Sequence, residues 1–227
     1  MSVTSHLAKK TSCVPDAKEY RRQFRKHVFC LLRRGYVRFP DPAKFEKSEE
    51  PDITGELVRV IRDVTYDSAS PRWAWRFVVH DDYPVNEQGC LGKRRGRIDI
   101  VFEGVYPGKH ACYAFEAKRL SAGKCGMAEY LGDEGMGAFI AGDYAPDSPE
   151  AGMLAYVQSG TPGHWADEAK KRFTKNGTGM QVCPGGRWMR SKEFAGLTDV
   201  FRSKHSRPNV GHHITIYHLF MMFCCPL

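Results

Sequence analysis

The chain contains no CxxC pair, although it has eight cysteines, at Cys13, Cys30, Cys90, Cys112, Cys125, Cys183, Cys224 and Cys225. The spacing therefore supports no zinc site, and the adjacent Cys224 and Cys225 make no metal knuckle by themselves. A run long enough to cross a bilayer is also missing. The most apolar stretch, ITIYHLFMMFCC, is too short and carries a histidine. The early segment HLAKKTSC is polar where a secretory leader would be apolar. These absences set the expectation of a cytoplasmic protein with reduced thiols and no membrane partner. There is no internal repeat or low-complexity tract. The Gly-rich SAGKCGMAEYLGDEG lacks the GxxxxGK[ST] spacing of a Walker-type phosphate cradle. No Ser-His-Asp or Cys-His nucleophile arrangement is identifiable from spacing alone.

Acidic residues are also in short supply. Lysine and arginine total 34 against 26 aspartates and glutamates, a formal net charge of +8. Such a chain favours an acidic partner, with nucleic acid first, because Lys and Arg neutralise phosphates. The competing reading is a basic protein that is merely soluble. At 227 residues and 42% hydrophobic, the chain can build one domain around its own core.

Residues 16–37 carry Tyr20, Phe24, Val28 and Leu31 at three- and four-residue intervals, which predicts an amphipathic helix with Gly35 as its C-cap. Its other face holds Arg21, Arg22, Arg25, Lys26, Arg33 and Arg34, either as a solvated surface or as a phosphate-facing arm. Residues 38–51 read as a loop. A second helix is expected from about 52 to 64 on the stripe Ile53, Leu57, Val60, Ile61 and Val64, with Glu49, Glu50 and Glu56 at its entrance or margin. WAWRFVVH (73–80), RIDIVF (97–102) and ACYAFEAK (111–118) read as strands of an antiparallel meander. A helix over 134–144, a strand at 153–158, a helix over 164–176 and a β segment at 212–223 follow. His205, Arg207, His212 and His213 show no ligand spacing, and Trp165 and Trp188 read as core.

The informative stretch is YAFEAKRL, residues 113–120. Alternation along a strand puts Glu116 and Lys118 on one face and Phe115 and Ala117 on the other. A hairpin centred near GVYPGKH places Asp99 opposite roughly Ala114, one step from Glu116. Two carboxylates beside a lysine suit a hard divalent cation such as Mg²⁺. The bland alternative is a cross-strand ion pair.

Asp99, followed seventeen residues later by Glu116-Ala117-Lys118 and preceded by a glutamate-bearing helix, resembles the PD-(D/E)xK nuclease superfamily, also called restriction-endonuclease-like. The resemblance covers about residues 50–158; Ile98 stands where the usual proline would precede the aspartate. It implies an α/β fold with an α-β-β-β-α-β core, a mixed central sheet and flanking helices. It also implies that Asp99 and Glu116 bind Mg²⁺ (or Mn²⁺) with the Ala117 carbonyl, while Lys118 orients the attacking water. Glu50, or Glu56 close behind it, would supply the helix glutamate. Lys93, Arg94, Arg95 and Arg97, with Arg119, become candidate phosphate contacts. The expectation is one nuclease-like domain over 1–227, with a basic helical arm at 1–45 and the core motif region at 49–158. Its activity would be metal-dependent hydrolysis of nucleic acid, DNA ahead of RNA, of the restriction or phage-defence kind, and a homodimer is compatible with it. The alternatives are a catalytically silent nucleic-acid-binding module and an effector subunit of a larger complex.

Overall fold

The computed structural model describes residues 17–85, 96–106 and 109–225. Helix α1 (Ala17–Val37) buries Phe24, Val28, Phe29, Leu31 and Leu32 at helical spacing. It runs through Gly35, the expected C-cap, for a packing reason. A Cβ at residue 35 would lie 2.3 Å from Ile61 Cγ1, so glycine is what lets α1 approach α2 (Glu50–Tyr66) closely. Helix α2 begins two residues before the expected start, with Pro51 in its first turn.

The segment read as a strand over 73–80 divides. Ala74–Arg76 forms a 3₁₀ turn and β1 spans Phe77–Pro84, while the Trp73 ring stacks on His27 at 3.9 Å. Strands β1, β2 (Arg97–Tyr106) and β3 (Lys109–Leu120) form the expected antiparallel meander. The helix expected over 134–144 is broken into α3 (Met127–Leu131), a π-type turn (Asp133–Gly137) and α4 (Ala138–Ala141). Gly132, Gly135 and Gly137 interrupt it, and Gly135 leaves helical geometry at φ −122°, ψ −119°.

Strand β4 (Glu150–Val157) runs parallel to β3 and pairs Gly152 with Phe115. A Cβ on residue 152 would lie 2.0 Å from the Phe115 ring. Helix α5 (Pro162–Asn176) is capped by Thr161, whose hydroxyl accepts from His164 N at 3.1 Å. The remaining strands are β5 (Met189–Arg190), β6 (Val200–His205) and β7 (Ile214–Met222). The sheet order is β1-β2-β3-β4-β7-β6-β5, with β3–β4 and β4–β7 parallel and the other pairs antiparallel.

The fold is α/β, a seven-stranded mixed sheet flanked by helices. One face carries α1 and α2 on a cluster that includes Phe29, Leu57, Phe115, Tyr156 and Leu219. The other carries α3, α4 and α5 around Tyr130, Phe139, Met153, Trp165 and Phe220. In its described part the expected basic arm is thus a core helix. Arg25 leaves the polar face altogether: it is 7% exposed, pairs with Glu150 and Glu193, and stacks 4.9 Å above the Tyr217 ring. Among the described residues, no helix is long and apolar enough to cross a membrane.

Candidate active site

The β2–β3 hairpin closes with Tyr106 opposite Lys109, so Val101, not Asp99, faces Ala114. That is a two-residue shift from the expected register, and the hairpin connection sets it. Ile100 pairs with Phe115, and one step further along the ladder brings Asp99 level with Glu116. Asp99 Oδ2 accepts from the Ala117 main-chain N–H at 2.6 Å.

Lys118 Nζ donates to Glu116 Oε1 at 2.8 Å and to Glu50 Oε1 at 3.1 Å. Glu50 Oε2 accepts from Arg119 N at 3.2 Å, which ties the first turn of α2 to the end of β3. Arg119 is fixed beside this cluster by Glu49 and by the Ser48 carbonyl, 3.3 Å away. Glu116 is 4% exposed, and its Oε2 has no hydrogen-bond partner.

The electrostatics follow from enclosure. Burial, then the neighbouring Asp99, pushes the Glu116 carboxyl up to about 8 against the pull of Lys118. Burial likewise raises Asp99, opposed by the Ala117 N–H, and raises Glu50, opposed by Lys118. For Lys118, burial acts downward, but Glu116 and Glu50 outweigh it and hold the ammonium above its ordinary value. Two of the three carboxyls bind the one ammonium and the third stands beside them, so full ionisation would leave an excess of negative charge around the buried Glu116.

Of the two helix glutamates, the structure brings Glu50 to the cluster. Glu56 turns to Arg59 instead, at 2.7 and 2.8 Å, and its carboxyl is lowered by that contact. Arg97 is exposed at the start of β2 and pairs with Asp82. Lys93, Arg94 and Arg95 lie outside the described residues. Trp165 and Trp188 are buried, as expected, and so is His205, while Arg207 binds the carbonyls of Tyr144, Ala145 and Ser148.

Two features escaped the sequence reading. Tyr144 lies in the field of the carboxyl pair: burial, then Glu116 and Asp99, pushes its phenol up to about 12. Cys183 Sγ stands 3.3 Å from His213 Nδ1. Neither has a local signal, since each depends on chain segments that meet only in the fold.

Among the described residues, no set of three or more His, Cys, Asp and Glu side chains is placed to hold a metal ion. The donor chemistry still fits a Mg²⁺-type cation, which is satisfied by one or two carboxylates with water and phosphate oxygens in the remaining positions. Asp99 and Glu116 are such a pair, close enough that each acts on the other's titration. Comparison with family models, curated proteins and solved structures returned no match.

Proposed function

We propose that the protein is a metal-dependent nuclease that hydrolyses phosphodiester bonds, acting on DNA as an endonuclease. The observation that carries this reading is the cluster of three carboxyls, Asp99, Glu116 and Glu50, about the single Lys118 ammonium, with Glu116 buried and its carboxyl held up to about 8. A structural ion pair needs one acid for one base; here two further carboxyls crowd the same ammonium, and Glu116 relieves the repulsion by holding a proton that a metal ion could replace. A divalent cation would balance that charge. The element order α2-β1-β2-β3-α3/α4-β4 agrees with the restriction-endonuclease-like core that the PD-(D/E)xK resemblance implies.

In this reading Asp99 and Glu116 hold Mg²⁺ (or Mn²⁺), with the Ala117 main chain alongside. Bound there, the cation polarises the scissile phosphate and lowers the pKa of a water. The chain's own residues do the rest. The Ala117 N–H fixes the Asp99 carboxylate. Glu50 and Glu116 keep Lys118 charged and aimed, so that its third N–H can donate to a phosphate oxygen or orient the attacking water. Glu50 also anchors the Arg119 main chain, while Glu49 and the Ser48 carbonyl hold its guanidinium at the margin, where a flanking phosphate would compete with Glu49.

The test is incubation with supercoiled plasmid in Mg²⁺ or Mn²⁺, against EDTA, Asp99→Ala and Lys118→Ala. Nicking that needs metal and falls by about 10²-fold or more in both variants is the expected result. Folded protein that cleaves neither DNA nor RNA with any metal would instead make the chain a binding module or an effector subunit.

A further inference from the structure

We propose that Cys183 and His213 form a second reactive site, a thiol–imidazole pair that exchanges with an anionic low-molecular-weight disulfide of the glutathione type. It lies apart from the proposed nuclease site. The main-chain N–H of Cys183 donates to the Lys204 carbonyl of β6 at 2.9 Å, and β6 is the third strand from β3 in the sheet, roughly 14 Å across the ladder.

Two observations define it. First, Cys183 Sγ is 3.3 Å from His213 Nδ1, within reach for direct proton transfer, and His213 is exposed just before β7. The Cys183 backbone is clamped on both sides, because Gly186 N also donates to its carbonyl at 2.8 Å. Second, the thiol lines a cavity of about 620 Å³, a size suited to a small ligand. Lys170, Lys175 and Arg187 line the same cavity, and no acidic residue does, so it selects for carboxylates.

The exchange is balanced without further reagents. His213 takes the Sγ proton as the sulfur attacks one sulfur of the ligand disulfide. The ligand S–S bond breaks and the mixed disulfide forms at Cys183. The leaving thiolate collects the proton from His213 and departs as a thiol. Cys183 is oxidised and the leaving half is reduced.

Cys112 is exposed and serves as an internal reference, and the Cys183 rate with each disulfide is also compared on its own, because burial and the neighbouring Glu103 raise the Cys112 thiol. The full chain is treated with oxidised glutathione and, separately, with cystamine, a cationic disulfide, and modification is followed peptide by peptide by mass spectrometry. Despite its burial, Cys183 is expected to react ahead of Cys112 with oxidised glutathione, by about tenfold, and to lose that lead with cystamine. His213→Asn, an exposed substitution that spares the core, should slow Cys183 by about 10²-fold, leave Cys112 unchanged and respond to added imidazole. Lys175→Gln with Arg187→Gln should narrow the preference for the anionic disulfide. Reaction in order of exposure, with Cys112 first, would overturn the proposal. So would equal rates with the two disulfides, or an unaltered Cys183 rate in His213→Asn. None of these readouts involves nucleic acid, so the outcome stands whether or not the chain cleaves it.

Discussion

Glu116 keeps one carboxylate oxygen on Lys118 and the other without a partner, on a side chain that is 4% exposed. Its pKa is raised from 4.5 to about 8, so the folded state binds that proton more tightly than the unfolded chain. The corresponding stability is fully present below pH 4.5 and is lost as the pH rises through 8. Glu116→Gln keeps the shape and removes the charge. The variant should therefore be more stable than the parent at pH 8, by roughly 1–3 kcal/mol, less than the ~1.4 kcal/mol per pKa unit of an isolated group because Lys118 is coupled to it. Near pH 5 the difference should nearly vanish. Urea unfolding at the two pH values checks this, and an unchanged or lower midpoint at pH 8 would contradict it. The same variant should lose plasmid nicking. Gaining stability while losing chemistry is the behaviour of a residue held against its folding interest, and a mere ion-pair partner would show neither.

At the scale of elements, the docking of α1 turns on Arg25. Its guanidinium ties α1 to Glu150 at the start of β4 and to Glu193 in the segment before β6. Removing a buried partner leaves two carboxylates uncompensated, so Arg25→Ala should lower stability by about 3–5 kcal/mol. Arg25→Lys should recover only part of that, since an ammonium cannot bridge both acids in a planar fork. Thermal or urea unfolding of the two variants decides it; a loss below about 1 kcal/mol for Arg25→Ala would mean a solvated arginine after all. The apolar stripe of α1 was legible because helical periodicity is local. The role of Arg25 was not, since its partners lie 125 and 168 residues along the chain. The broken helix over 127–141 went unread for a different reason: glycines weaken a helix without saying where it will break.

For the molecule as a whole, the second core is threaded by a polar chain with one consistent hydrogen assignment. The Met180 carbonyl can only accept, so His205 Nδ1 donates to it at 2.6 Å. His205 Nε2 then accepts from Ser203 Oγ at 2.7 Å, and Ser203 accepts in turn from His218 Nε2 at 2.9 Å. His218 Nδ1 accepts from the Tyr130 hydroxyl at 3.1 Å. Every ring nitrogen is satisfied with both imidazoles neutral, so an added proton would bring a buried positive charge without adding a hydrogen bond. Burial lowers His205 from 6.5 to about 4, and burial followed by His205 lowers His218 well below 6.5. For depressed bases the stability is present above pH 6.5 and is lost as the pH falls towards 4, on the order of 3 kcal/mol from His205. Glu116 works in the opposite direction over part of that range, so the clean comparison is with His205→Gln. Its stability difference between pH 7 and pH 4.5 should be smaller than the parent's by about 2 kcal/mol in urea unfolding. An equal difference would place acid sensitivity elsewhere.

The sequence by itself determined the α/β class, the three-stranded meander, the amphipathic faces of α1 and α2, and the shared face of Glu116 and Lys118. Periodicity and strand alternation are properties of neighbouring residues, and they survive folding unchanged. Tertiary structure decided that Asp99 stands level with Glu116, because the hairpin connection sets the register. It also chose Glu50 over Glu56: the first turn of α2 meets the end of β3, while the next turn faces Arg59. Arg25 became an internal tie for the same kind of reason, and Cys183 met His213 across 30 residues of chain. In each case the deciding contact joins residues far apart in the chain, where no local pattern carries the information.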